Sequence, residues 1–158
     1  MKKYAILLLL LLSASACGAE NVPAEDDFAV AVTVADKALK ANDDLIFATE
    51  LTNLSKHKAT ILHAAPLVHV QIYDENDKPL IDSFVTATVG IIQTLQPKET
   101  YRPGNDNGGG AKSIRLEKAG TYKLVGTASF SVDTGSGERK EYRLLSPPVE
   151  VTVADSGA

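Results

Sequence analysis

Leu116–Val132 reads LEKAGTYKLVGTASFSV, a corner followed by a long alternating run. From Tyr122 onward its apolar residues fall on alternate positions: Tyr122, Leu124, Ala128, Phe130 and Val132 on one face, with Lys123, Thr127, Ser129 and Ser131 on the other. A period of two belongs to a strand half covered by a core, whereas a helix repeats near 3.6. Just ahead, Leu116, Gly120 and Tyr122 mark a corner. Glycine permits a tight bend, and a tyrosine two places after it folds its hydroxyl back on the preceding turn.

The same period runs outward in both directions. Phe28, Val30, Val32 and Val34 share a face in FAVAVTV. Leu45, Phe47 and Leu51 do so in LIFATELT, opposite Glu50 and Thr52. Val68, Val70 and Ile72 alternate with His69 and Gln71, and Val149, Val151 and Val153 with Glu150 and Thr152. Turn clusters (KAND, NLSKHK, DENDKP, PGNDNGGG, DTGSGE) separate the runs. Short alternating strands with such breaks predict an all-β, antiparallel immunoglobulin-like β-sandwich over residues 28–153, in which Gly120 and Tyr122 form the structural corner. One helical turn is expected within VADKALKANDD, and residues 154–158 are expected to form a disordered tail. The chain has one cysteine and no tryptophan, which excludes the disulfide and tryptophan pin of an antibody domain.

The order of turns carries a resemblance. ATELTNLSKHKATI, VHVQIYDENDKPL, QTLQPKETYR and KAGTYKL follow one another from about Leu45 to Phe130. This order resembles the BsuPI-type (intracellular proteinase inhibitor) domain of bacilli. Asn53, Ser55, Tyr73, Asp74, Leu95, Pro97, Glu99, Gly120, Thr121 and Tyr122 stand at the matching places, while the tryptophans common around that family's middle hairpin are missing. The resemblance implies an immunoglobulin-like sandwich and, as one alternative function, proteinase inhibition.

The N-terminus indicates where the protein works. Lys2 and Lys3 precede an apolar run from Ala5 to Leu12, then the small residues Ala14, Ser15 and Ala16, then Cys17. This is the layout of a secretory signal peptide, and the run is far shorter than the roughly 20 residues a spanning helix needs. With cysteine directly after the small residues, the segment resembles a bacterial lipobox, with Ala14 where leucine is usual. Residues 1–16 are therefore expected to be a lipoprotein signal peptide, and residues 17–27 a lipidated N-terminus and flexible tether; Ala14-Ser15-Ala16 also fits the A-x-A pattern of signal peptidase I, with plain secretion as the alternative. Diacylglycerol and palmitate on Cys17 would be the only covalent group. Several acyl chains give lasting anchorage where one chain does not. The expected location is the bacterial cell envelope, extracytoplasmic: the outer membrane in a diderm, because Gly18 is not the aspartate of inner-membrane retention, and the cell membrane in a monoderm.

Charge and cysteine usage exclude several classes. Without Lys2 and Lys3 the chain keeps 14 basic against 20 acidic residues, a net charge of −6. Such a balance disfavours nucleic acid and electrostatic adhesion to anionic lipid, leaving the lipid anchor as the membrane contact. A lone cysteine forms neither an intrachain disulfide nor a thiolate metal site.

DENDK lacks the glycine of a calcium loop and puts Lys78 at a ligand position, so a polar hairpin turn is expected. GNDNGGGAKS misses the phosphate-loop spacing because Ala111 precedes Lys112. TGSGE around Ser136 is not a nucleophile elbow. No enzyme is expected. His63 and His69 are weak metal candidates, able to meet only if they lie on two strands paired as a hairpin; otherwise they are surface histidines. Ser83 to Gln96, SFVTATVGIIQTLQ, holds fourteen residues without a formal charge. It is expected to form two strands covered on both faces and divided at Gly90. Were it instead a binding surface, Phe84, Val85, Ile91 and Ile92 would carry it, with Tyr101 and Arg102 side by side on the next loop as a second candidate. The leading expectation is a non-catalytic, membrane-anchored module with a protein partner. A proteinase inhibitor and a metal-binding accessory protein of the envelope are the alternatives.

Overall fold

The alternation of Phe28, Val30 and Val32 turns one side of the first strand, β1 (Phe28–Val34), into the core, and the remaining strands assemble around that side. The computed structural model describes residues 22–104, 111–135 and 137–157. The further strands are β2 (Ala38–Lys40), β3 (Asp44–Asn53), β4 (Ala59–Tyr73), β5 (Ala87–Leu95), β6 (Thr100–Tyr101), β7 (Ala111–Arg115), β8 (Gly120–Asp133), β9 (Arg139–Leu145) and β10 (Val149–Ala154). They form two sheets. In one, β3 lies between β1 and the successive short strands β6 and β7. In the other the order is β2-β10-β8-β4-β5, with β9 also paired to β8. All pairings are antiparallel except that of β2 with β10. This division of strands between sheets is that of an immunoglobulin-like sandwich.

Between the sheets lie Leu45, Leu51, Ile61, Val68, Ile72, Leu95, Leu124 and Val151, all essentially inaccessible. Each such side chain contributes roughly 1.5–3 kcal/mol by leaving water. Phe28 of β1 stands edge-on to Phe130 at 5.0 Å and Tyr142 at 5.5 Å, locking the two sheets together at one end. At the other end the Tyr122 hydroxyl donates to the Lys118 carbonyl at 2.9 Å across Gly120, whose φ of +151° suits glycine alone. Asn53, fully buried, is a clamp. Its amide donates to the carbonyls of His57 at 2.8 Å, Leu95 at 3.2 Å and Gln96 at 3.2 Å, while its oxygen accepts from the amide and hydroxyl of Ser55.

Four expectations need correction. VADKALKANDD holds no helical turn: Ala38–Lys40 forms β2, because Asp36 and Asp43 take the amides of Ala38 and Lys40 that a helix would use. Ser83 to Gln96 is not a pair of covered strands. Only Ala87–Leu95 is a strand, and it is the edge of its sheet. His63 and His69 do not lie on two strands of a hairpin, because both belong to β4. Nor is His63 a surface histidine, being 3% exposed. Finally, the N-terminal segment is in contact with the domain before Phe28. Glu25–Asp27 forms a single 3-10 turn, and the Pro23 carbonyl accepts from the Tyr142 hydroxyl and from Lys140. Cys17 and the leader lie outside the described residues.

Candidate functional site

Strand β4 changes phase in its middle. Ala59, Ile61 and His63 face the core, and so do Val68, Val70 and Ile72, so the inward parity switches from odd to even. The ladder with β8 shows the cause. His63 pairs with Phe130 and Val68 with Ala128, leaving Ala64, Ala65, Pro66 and Leu67 opposite Ser129 alone. Pro66 has no amide to give to a ladder, so the strand bows out around it. The Ala65–Pro66 peptide is cis.

The bow opens a cleft of about 500 Å³ between the two sheets. His63, Ala65, Pro66 and Leu67 of β4 and Ile91 of β5 form one wall, and Thr49 of β3, Tyr101 of β6, Pro103, Gly104 and Lys112 of β7 form the other. Lys112 reaches the cleft because it pairs with Phe47 and therefore shares the inward face of β7 with Ile114. The His63 and Tyr101 rings lie 5.6 Å apart across it.

The His63 ring has a defined polarity. Its Nδ1 lies 2.7 Å from the Ala64 carbonyl, which only accepts, so Nδ1 carries the proton. Nε2 is buried without a hydrogen-bond partner. In the neutral ring that nitrogen is an acceptor awaiting a donor. Burial holds the Lys112 ammonium below the usual lysine range. No carboxylate among the described residues pairs with it.

The candidate residues divide as follows. His63, Ile91 and Tyr101 meet in the cleft. Arg102 is not beside Tyr101 on a common surface. It points away to pair with Glu50 at 2.9 Å, while Tyr101 pairs with Leu51 on the inner face. Ile92 is exposed beside Leu62 on the outer face. Phe84 and Val85 lie in the segment before β5, where the Phe84 ring sits 4.8 Å from that of His69. His69 faces outward, its Nε2 3.1 Å from the Thr86 hydroxyl, so the two histidines lie on opposite faces of the sheet. Among the described residues no three His, Cys, Asp or Glu side chains gather as a metal site.

The turn residues serve the turns. The Asp74 carboxylate accepts from the amides of Asn76 and Lys78, and Lys123 pairs with Asp77, closing the DENDK hairpin. Glu99 accepts from the Gln96 amide at 2.6 Å and so caps the turn before β6. The GNDNGGG run falls outside the described residues from 105 to 110, and so does Ser136.

Sequence reading missed Lys112, Thr49, Pro66 and Leu67. Two signals were present. A proline inside a long alternating run marks a bulge, and Lys112 stands two places before Ile114, hence on the same face.

No family model matches the chain, and no curated protein matches its sequence. Among solved structures it is similar to the X-ray structure of the Northeast Structural Genomics Consortium target SoR45, with a TM-score of 0.49 at 18% identity over 83% of this chain and 90% of that one. It is also similar to the CARDB domain of a Pyrococcus furiosus protein crystallised with di-metal ions, with a TM-score of 0.43 at 16% identity over 82% of this chain and 94% of that one. A third is Spo0M, a sporulation control protein of Bacillus subtilis, with a TM-score of 0.38 at 12% identity over 81% of this chain and 49% of that one.

Proposed function

We propose that this immunoglobulin-like domain is a non-catalytic binding module, moored outside a bacterial cell by lipid on Cys17, and that it receives a protein partner along β5. The observation that carries the reading is the state of that edge. Exposed edge strands are ordinarily guarded by charge, proline or a covering element, because their free backbone groups recruit other strands. Strand β5 pairs only with β4 among the described residues, and no charged residue occurs from Ser83 to Gln96. Val85 is 90% exposed, Val89 71% and Ile92 66%. An unguarded, apolar edge suits strand addition, in which backbone bonds supply affinity and alternate side chains supply selection.

The leader and its cysteine support the mooring. With Pro23 held against β9, the residues back to Cys17 span at most roughly 20 Å. Such a reach would keep the domain near the headgroups. The inhibitor activity implied by the BsuPI-type resemblance gains less support, because its matched residues Asn53, Asp74, Glu99 and Tyr122 are engaged in turn hydrogen bonds.

Two measurements test the proposal. Metabolic labelling with an alkyne fatty acid is expected to mark the wild type and not Cys17→Ser, which moves to the soluble extracellular fraction. A photo-crosslinker at Ile92 in intact cells is expected to trap one discrete partner that Val89→Lys no longer binds. An unlabelled wild type recovered from the cytosol overturns the mooring. A partner still captured by folded Val89→Lys overturns the edge.

A further inference from the structure

The cleft beside β5 combines three features that no packing role explains. An imidazole nitrogen 97% buried with its side chain has no hydrogen-bond partner. Lys112, exposed at the rim, is matched by no carboxylate among the described residues. Ile91, Leu67, Pro66, Ala65 and the Tyr101 ring form apolar walls between them. Buried polar atoms are normally satisfied, and one left open costs about 1–3 kcal/mol, so a retained orphan on a side chain that lines a cleft points to a ligand that completes it. Its volume of about 500 Å³ lies within the range of small-molecule sites, which pair apolar walls with a few placed polar groups.

We propose that this cleft binds a small organic anion with an apolar body and a hydroxyl group. The hydroxyl donates to His63 Nε2, the body lies against Tyr101, Pro66 and Ile91, and the anionic group meets Lys112. A purely apolar ligand leaves the imidazole nitrogen and the ammonium unmatched. A cation opposes Lys112. A ligand without a donor leaves Nε2 as it is. The cleft lies on the inner side of β5 and its use does not depend on strand addition at the edge.

The test uses the full chain carrying Cys17→Ser at pH 8, with three probes compared by calorimetry and by amide chemical shifts. The probes are 3-(4-hydroxyphenyl)propionate, the same acid without the hydroxyl, and its primary amide without the charge. The hydroxy acid is expected to bind with shifts at Ala65, Leu67, Ile91 and Tyr101, and each analogue to bind about tenfold more weakly. His63→Phe is expected to erase only the preference for the hydroxyl, and Lys112→Met only the preference for the charge. Should His63→Phe fail to fold, Lys112→Met at the open rim still decides the question. Equal binding of all three probes, no binding at millimolar concentration, or shifts confined to Val85, Val89 and Ile92 overturns the proposal.

Discussion

His63 and Tyr101 come from opposite sheets, their rings stand 5.6 Å apart, and His63 Nε2 is buried without a hydrogen-bond partner. A buried acceptor without a donor weakens the fold, and an apolar ring of similar outline removes that cost. His63→Phe removes that cost but also the Nδ1 bond to the Ala64 carbonyl, so it is expected to change stability by no more than about 1 kcal/mol while losing selection for the hydroxyl. Urea unfolding followed by far-ultraviolet circular dichroism measures it. A loss of about 3 kcal/mol or more, beyond what the Ala64 bond accounts for, would show that Nε2 is satisfied in the native protein.

Tyr122 closes the corner before β8 by donating to Lys118 at 2.9 Å. Tyr122→Phe keeps the ring in the core and removes this bond, leaving a carbonyl to find another donor. The expected cost is about 1–2 kcal/mol. Burial, then the charges of Asp74 and Glu75, raise the phenol above its ordinary value of 10.0. A raised folded value means that its stabilisation is intact below pH 10 and is lost as pH rises through the higher folded value. Alkaline unfolding is thus expected to be shallower in Tyr122→Phe than in the wild type, and parallel curves would remove Tyr122 as a cause.

Close approach explains one glycine and not another. A Cβ on Gly126 would stand 2.8 Å from Val32 Cγ2 and 3.0 Å from Val68 Cγ1, both held in the core. Gly126→Ala is expected to cost about 1–3 kcal/mol through overpacking. At Gly90 the obstacle is the tip of Leu62, at 2.9 Å, on the outer face. That side chain can swing away, so Gly90→Ala is expected to change stability by no more than about 0.5 kcal/mol. Equal losses at the two positions would contradict the distinction.

Much of this sandwich is written in local pattern. The alternation in FAVAVTV and YKLVGTASFSV places Phe28, Val32, Leu124 and Phe130 inside, and these residues are the core. The corner at Gly120 and Tyr122 is equally local. What escapes is whatever depends on long-range pairing. Nothing near Ala87 announces that β5 ends its sheet, because an edge is defined by a neighbour that does not come. Uncharged residues read as buried for the same reason. The site is legible only in pieces. His63, Ile91 and Tyr101 stand out in the sequence on separate grounds, and it is the bow at Pro66 that brings them together.

The acid limb of stability is expected to report on His69. Its ring contacts Phe84 at 4.8 Å and Thr86 at 3.1 Å, and its imidazole is held below the ordinary value of 6.5 by burial first and by the positive charge of Lys112 second. Both causes act against the charged ring. With the folded value depressed, the native state binds fewer protons than the unfolded chain between that value and 6.5, so stability rises with pH in this window. The contribution is complete above 6.5 and disappears as pH falls through the folded value. Carboxylates titrate nearer pH 4 and leave the window between about pH 5 and 6.5 largely to histidine. The effect is small because the ring keeps contact with water, which screens Lys112. His69→Gln retains a hydrogen-bonding group for Thr86 and is expected to flatten the urea midpoint between pH 7.5 and 5, and Lys112→Met to flatten it in part. A wild-type slope that persists in His69→Gln assigns the titration to another group.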